Sequence, residues 1–145
     1  MVMQIMSWKI EWTDALSMSN PQLDAQHKHF FALINKLNRA INDRRDKAEI
    51  ERIMNLILED AVAHFAHEER LFAESRYPRA QEHAQLHAEL INTFQQSLKK
   101  IQQTEFSRAW IYTGLAIKTR LVEHVLIEDT RYIAYLRTGF PPARE

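Results

Sequence analysis

Five of the seven histidines, His27, His64, His83, His87 and His124, fall at helical spacing on stripes otherwise made of Leu, Ile, Phe and Ala. A lone histidine in such a position is ordinarily a hydrogen-bonded core residue. Five of them, spread over four helical segments, point toward a shared interior. Burying imidazoles and carboxylates without partners costs on the order of 1 to 3 kcal/mol each, and a domain has only about 5 to 15 kcal/mol of net stability to set against that. A metal ion satisfies such groups directly. Imidazole nitrogen and carboxylate oxygen suit iron, zinc or manganese, and the cores of helix bundles are a common place to build such sites.

His64 and Glu68 lie one helical turn apart, as do His83 and His87, so each pair can aim at one point from one face. A further acid follows His124. Spacing alone selects Glu128, four residues on, over Asp129, which lies roughly 140° round the helix at about 100° per residue. Five histidines and two carboxylates exceed the four ligands of a closed tetrahedral zinc site, so a binuclear centre is the economical reading. The acids are the natural bridges, because a carboxylate has two oxygens and a neutral imidazole normally binds one metal. His29, two residues from His27, points to another side of its helix and reads as solvated. His67, three residues from His64, reads as a neighbour of the ligands or as an exposed residue.

These side chains need helices to carry them, and the breakers leave room for four. Prolines stand only at Pro21, Pro78, Pro141 and Pro142 and glycines only at Gly114 and Gly139. Asn20-Pro21 reads as an N-cap and first turn, opening a helix through Leu23, His27, Phe30, Ile34, Leu37 and Ile41 that stops near Asn42-Asp43. Asp46 with Glu49 resembles a capping box before a second helix bearing His64 and Glu68. Tyr77-Pro78 punctuates the chain ahead of a third, with His83 and His87 on the stripe of Leu90, Phe94, Leu98 and Ile101. After a turn over Gln102 to Ser107, a fourth helix runs to about Thr138 with Ile117, Leu121, His124, Tyr132 and Leu136 on its stripe, and Gly139 and Pro141-Pro142 end it. Short connections favour an all-α, up-down-up-down antiparallel four-helix bundle. An N-terminal arm over residues 1–19, with Trp8, Ile10, Trp12 and Leu16, is expected to pack on the bundle of 20–138, leaving a tail of 139–145 in a single-domain chain of 145 residues.

Composition narrows the chemistry further. With 19 Lys and Arg against 19 Asp and Glu, the chain has no net field to attract nucleic acid or an anionic membrane. Arg44, Arg45 and Lys47 read as a solvated turn. The absence of cysteine excludes iron–sulfur clusters, thiolate zinc sites and covalently attached haem, so any metal must use nitrogen or oxygen. Met1 to Ile10 is interrupted by Gln4, Ser7 and Lys9 and does not read as a signal peptide, and no stretch approaches a span of about 20 apolar residues. No membrane insertion and a cytoplasmic location are the expectation.

The run Asp24-Ala25-Gln26-His27-Lys28, then His64-Phe65 with Glu68-Glu69, then His83 and His87, then His124 and Asp129, resembles the hemerythrin family in its bacterial single-domain form. Trp12 and the segment Glu69-Arg70-Leu71-Phe72 with Tyr77-Pro78 are also similar to it. The resemblance implies a bundle holding two non-haem irons joined by a solvent-derived oxo or hydroxo oxygen. His83, His87 and His124 would hold one iron and His27 and His64 the other, with Glu68 and Asp129 bridging. Here the resemblance departs from simple spacing by selecting Asp129 over Glu128. It implies further that dioxygen binds at the iron with fewer histidines. Arg120-Leu121-Val122-Glu123 stands where family members commonly carry a tryptophan, a leucine and an asparagine before the histidine.

The competing bundle chemistry, that of carboxylate-rich di-iron oxidases, uses Glu-x-x-His motifs. No Glu in this chain is followed three residues later by His. Imidazoles leave a centre less negative than carboxylates do, which favours ferrous iron and reversible binding. A dioxygen carrier, store or delivery protein, serving an oxygen-consuming partner protein and not itself an enzyme, is the favoured reading. The alternatives are an oxygen or nitric-oxide sensing module acting through a partner and a di-iron peroxidase or oxidase, the last requiring a substrate pocket beside the metals.

Overall fold

In the computed structural model, which describes residues 9–138, the protein is all-helical. Trp8, Gly139, Pro141 and Pro142 lie outside the described residues. Helix α1 spans Pro21–Asn42, α2 Lys47–Glu74, α3 Ala80–Gln103 and α4 Arg108–His124; a π-helical turn, Val125–Asp129, joins α4 to α5, Thr130–Thr138. Consecutive helices pack against each other and α1 also packs against α4, closing a four-membered ring joined by short connections. The bundle read from the periodicity is the one the chain forms.

The ends of α1 show how local sequence sets the element. Asn20 caps it, its Oδ1 accepting from the backbone N–H groups of Gln22 and Leu23 at 3.0 and 3.1 Å, with Pro21 in the first turn. Helices α1 and α2 both stop in a Schellman arrangement. The N–H of Arg45 donates to Ala40 O and that of Tyr77 to Phe72 O, while Arg44 and Arg76 take the left-handed backbone at φ 53° and 56°. Arginine rather than glycine occupies those positions, so the sequence carried no C-cap signal there. The capping box expected at α2 does not form: Asp46 stands at the N-cap without a side-chain cap hydrogen bond, and Glu49 instead accepts from Arg45 Nε at 3.0 Å. The neighbouring guanidinium outcompetes the backbone for that carboxylate.

The apolar interior is split into two clusters. The larger includes Phe30, Ile34, Ile57, Phe65, Leu90, Phe94, Ile117 and Leu121. The smaller gathers Met18, Leu23, Phe72, Tyr77 and Tyr132 at one end. On the first two helices His27 and Glu68 lie between these two sets: Leu23, His27, Phe30 on α1, and Phe65, Glu68, Phe72 on α2. A buried polar layer is thereby sealed on both sides by hydrocarbon.

The arm packs as expected for Ile10, Trp12 and Leu16. Ile10 exchanges two hydrogen bonds with the Asn35 carboxamide, at 2.6 and 2.9 Å, and Trp12 lies over Phe31 with Lys28 Nζ 4.8 Å from its ring centre. Asp24 holds the arm's end, accepting from Met18 N at 2.7 Å and from Ser17 Oγ at 2.6 Å. In α5 one stripe residue departs from expectation: Leu136 is 49% exposed, and Tyr135 turns inward in its place. Its hydroxyl donates to the carbonyls of Ser75 and Arg76 at the end of α2, which satisfies a polar tip that leucine lacks.

Gly114 on α4 packs directly against Asn38 and Ile41 of α1. The buried Asn38 carboxamide donates to Gly114 O at 3.2 Å and to Ile34 O at 3.3 Å, and a Cβ at position 114 would run into Asn38 Oδ1. Gly114→Ala is therefore expected to lower stability by about 1 to 3 kcal/mol, read as an earlier urea midpoint at unchanged slope. An unchanged midpoint would mean that this contact does not set the helix spacing.

Candidate metal centre

The buried layer is assembled from every wall of the bundle: α1 supplies His27, α2 His64 and Glu68, α3 His83 and His87, α4 His124, and the π turn Asp129. All seven are buried, with none more than 7% exposed. One donor atom from each of Glu68, His83, His87, His124 and Asp129 lies within 4.8 Å of all the others, and a second set, His27, His64 and Glu68, meets the same limit. The seven residues predicted from the sequence thus converge, in two groups that share Glu68.

Both carboxylates divide their oxygens between the groups. Glu68 Oε1 lies 3.1 Å from His87 Nε2, while its Oε2 lies 3.4 Å from His64 Nε2 and 3.6 Å from His27 Nε2. Asp129 Oδ1 lies 3.0 Å from His83 Nε2 and 3.3 Å from His124 Nε2, while its Oδ2 lies 3.4 Å from His27 Nε2. Each acid therefore presents one oxygen to the three-histidine group and the other to the two-histidine group, as a bridge must.

The π turn brings Asp129 into the layer. Its hydrogen bonds run from residue i to i+5 rather than i+4, so the residue five after His124 comes round to the same face. Glu128, which α-helical spacing favours, is turned away. It accepts from Arg131 Nη1 at 3.1 Å and lies 3.9 Å from Arg79 Nη2. The sequence showed only the conflict between i+4 and i+5 spacing, and the π turn resolves it.

The donor set fits cations. His83 Nε2 and His124 Nε2 face each other at 3.0 Å. Two nitrogens bound at right angles to one ion, at metal–nitrogen distances of about 2.0 to 2.1 Å, stand about 3 Å apart. Among the described residues, both oxygens of Glu68 and of Asp129, and Nε2 of His27 and of His87, are buried without a hydrogen-bond partner. Buried polar atoms that converge without bonding one another mark a site for ions.

In the protein without metal, these groups perturb one another strongly. Burial pushes the Glu68 carboxyl up, but His27, His64 and His87 facing it hold it well below the ordinary carboxylate value. Burial and the Glu68 charge push Asp129 up, and His124 and His83 bring it below its ordinary value. Burial pulls His27 down, and the Glu68 and Asp129 carboxylates more than reverse this; His124 is likewise raised by Asp129 against its burial. The imidazoles facing the two acids thus favour their charged forms, the role cations would otherwise fill.

Sequence reasoning did not assign roles to the groups behind the ligand candidates. Gln26 Oε1 lies 2.7 Å from His64 Nδ1, and its Nε2 3.1 Å from His67 Nδ1. His67 is half-buried beside the site, as expected, and the 66% exposed His29 pairs with Asp60 at 3.2 Å. Glu69 Oε2 lies 3.1 Å from His87 Nδ1. The His87 ring stacks on Phe65 with centroids 3.9 Å apart and planes at 5°. The available signals were position and motif: Gln26 precedes His27 and Glu69 follows Glu68, both within the runs that carry the family resemblance.

Residues 19–136 match the hemerythrin HHE cation binding domain. The chain is 25% identical over 126 residues to a bacteriohemerythrin of Campylobacter jejuni, covering 86% of this chain and 93% of that protein. It is 27% identical over 121 residues to a hemerythrin-like protein of Naegleria gruberi, covering 83% of this chain and 88% of that one. With a bacteriohemerythrin of Pseudomonas aeruginosa it shares 27% identity over 126 residues, 87% of this chain and 80% of the relative. The matched span reaches from the arm's end through the π turn into α5, taking in every member of the buried layer, and the chain belongs to the hemerythrin family.

Proposed function

We propose that this chain binds dioxygen reversibly at a non-haem di-iron centre, as a carrier, store or delivery protein rather than an enzyme. His83, His87 and His124 would hold one iron and His27 and His64 the other, with Glu68, Asp129 and an oxo or hydroxo group bridging. The observation that carries this reading is the division of each carboxylate's two oxygens between a three-histidine and a two-histidine group. The unequal count leaves the two-histidine position with fewer protein donors, which is where a small ligand can add. Two ferrous ions there would supply the two electrons that dioxygen accepts on binding and returns on release.

The chain's own residues set the conditions for reversibility. Phe30 and Phe31 flank the two-histidine side and Phe65 lies between the two groups: the Phe31 ring lies 6.1 Å from that of His27, the Phe30 ring 6.4 Å from that of His64, and the Phe65 ring 5.7 Å from that of His64 and 3.9 Å from that of His87. Such walls exclude water and limit proton delivery, which slows loss of reduced oxygen to solvent. No helix among the described residues is long and apolar enough to cross a membrane. A cytoplasmic setting, with an oxygen-consuming protein as the recipient, belongs to the same proposal.

One observation keeps a second reading, a di-iron peroxidase or oxidase, in view. A surface groove of about 330 Å³ lined by Leu86, Glu89, Leu90, Arg120, Glu123 and Ile127 reaches the edge of His124. It includes the positions at which this chain departs from the tryptophan and asparagine common in the family. The groove meets the three-histidine side and not the side with fewer donors, which favours the carrier reading.

Four measurements test these readings. Reduction without air, then air, then argon should produce a visible absorption band that appears and is reversed. Irreversible bleaching with turnover of an added reductant would favour the enzyme instead. Asp129→Ala should reduce the iron content below two per chain, whereas Glu128→Ala should leave it unchanged; equal effects would contradict the bridging role of Asp129. Removing the metal should lower the melting temperature by about 10 °C or more. The raised His27 and His124 contribute stability to the metal-free protein below their unfolded value of 6.5 that is lost as pH rises through their folded values. Metal must displace those protons, so its binding tightens over the same range. The gap between loaded and metal-free melting temperatures should widen as pH rises above the ordinary imidazole value of 6.5, and a gap that narrows would refute this linkage.

A further inference from the structure

The outer nitrogens of two ligand candidates meet chemically different partners. His64 Nδ1 faces the neutral carboxamide of Gln26 at 2.7 Å, and His87 Nδ1 faces the carboxylate of Glu69 at 3.1 Å. Either acceptor places the ring proton on Nδ1 and leaves the Nε2 lone pair directed into the layer. There His64 Nε2 lies 3.4 Å from Glu68 Oε2 and His87 Nε2 lies 3.1 Å from Glu68 Oε1. The tautomer is the same on both sides, and the charge behind it is not.

An imidazole that donates to a carboxylate has a more basic opposite nitrogen than one that donates to an amide, and such outer partners alter metal affinity by about 10- to 100-fold. The His87 geometry preserves this contact. Its ring lies flat on Phe65, so rotation away from Glu69 would break the stack. The Glu69 side chain is 40% exposed. Solvent damps its field over longer distances, leaving the direct hydrogen bond to His87 as its principal effect.

We infer that Glu69 is a positioning residue which, through His87, makes the three-histidine position the first of the two to take a metal ion. This rests on the di-iron reading above and adds to it an order of loading set by the groups behind the ligands. The two-histidine position, with fewer protein donors and only the neutral amide of Gln26 behind His64, is the weaker, and is the one filled last and emptied first.

Cobalt(II) titrated into the metal-free full chain, followed by calorimetry and by visible absorption of the bound ion, tests the inference without any oxygen chemistry. The wild-type chain should take two ions in two resolved steps. Glu69→Gln keeps an acceptor of the same shape and removes its charge, and should weaken binding at the three-histidine position by about 10- to 100-fold, so that the two steps merge or exchange order. Glu69→Ala, which removes the acceptor altogether, should weaken binding there at least as much. Gln26→Glu should act in the opposite sense and tighten the second step, a site-selective gain that a merely structural role would not give. A first step unchanged in Glu69→Gln overturns the inference while leaving the di-iron reading intact. A wild-type chain that takes fewer than two cobalt ions overturns both.

Discussion

Two ionised carboxylates in a layer sealed by hydrocarbon need positive charge beside them. Glu68 and Asp129 are each 1% exposed, and each also feels the other's charge. Taking such groups out of water is costly unless they are paired and hydrogen-bonded. In this chain the pairing comes from imidazoles, of which His27 and His124 are raised by the carboxylates they face, and a cation would take over that role. Metal binding at the layer is on this account an exchange of protons for cations, which ties loading to pH and to stability at once.

The bundle suits this exchange because every wall contributes. A donor from each of four helices makes the centre a clasp across the whole domain. The apolar clusters on either side do separate work. The larger one supplies the bulk of the fold's hydrophobic burial, and the smaller one, with Phe72 and Tyr132 packed at 4.6 Å, closes the end where the π turn enters. A π turn is rarely a stable choice in water. Here its local cost is set against the placement of Asp129 among His83, His124 and His27.

Much of this was legible in the sequence because period and residue type agreed. Histidines on apolar stripes, the Asn20-Pro21 start and the short connections all specify the bundle and the facing of its ligand candidates. Less legible were features where the local rule and the tertiary outcome part. Arg44 and Arg76 end helices in a backbone usually given to glycine, Glu49 turns to Arg45 instead of the helix start, and Tyr135 displaces Leu136 from the interior. Asp129 is the instructive case. Ideal α-helical geometry selects Glu128, the family resemblance selects Asp129, and one additional residue in a helical turn brings the aspartate inward. Contacts behind the ligands, from Gln26 and Glu69, carry no periodic signal, since nothing in their spacing distinguishes them from other half-buried polar residues.

The donor arrangement calls for two cations in the layer, with Glu68 and Asp129 each touching both. Diffraction from crystals of the iron-loaded protein, measured at the iron absorption edge, tests it most directly. Two anomalous peaks about 3.5 to 4 Å apart are expected, one bounded by His83, His87 and His124 and the other by His27 and His64, with an oxygen of each acid at both. A single peak, or two peaks with Asp129 turned away and Glu128 in its place, would contradict it.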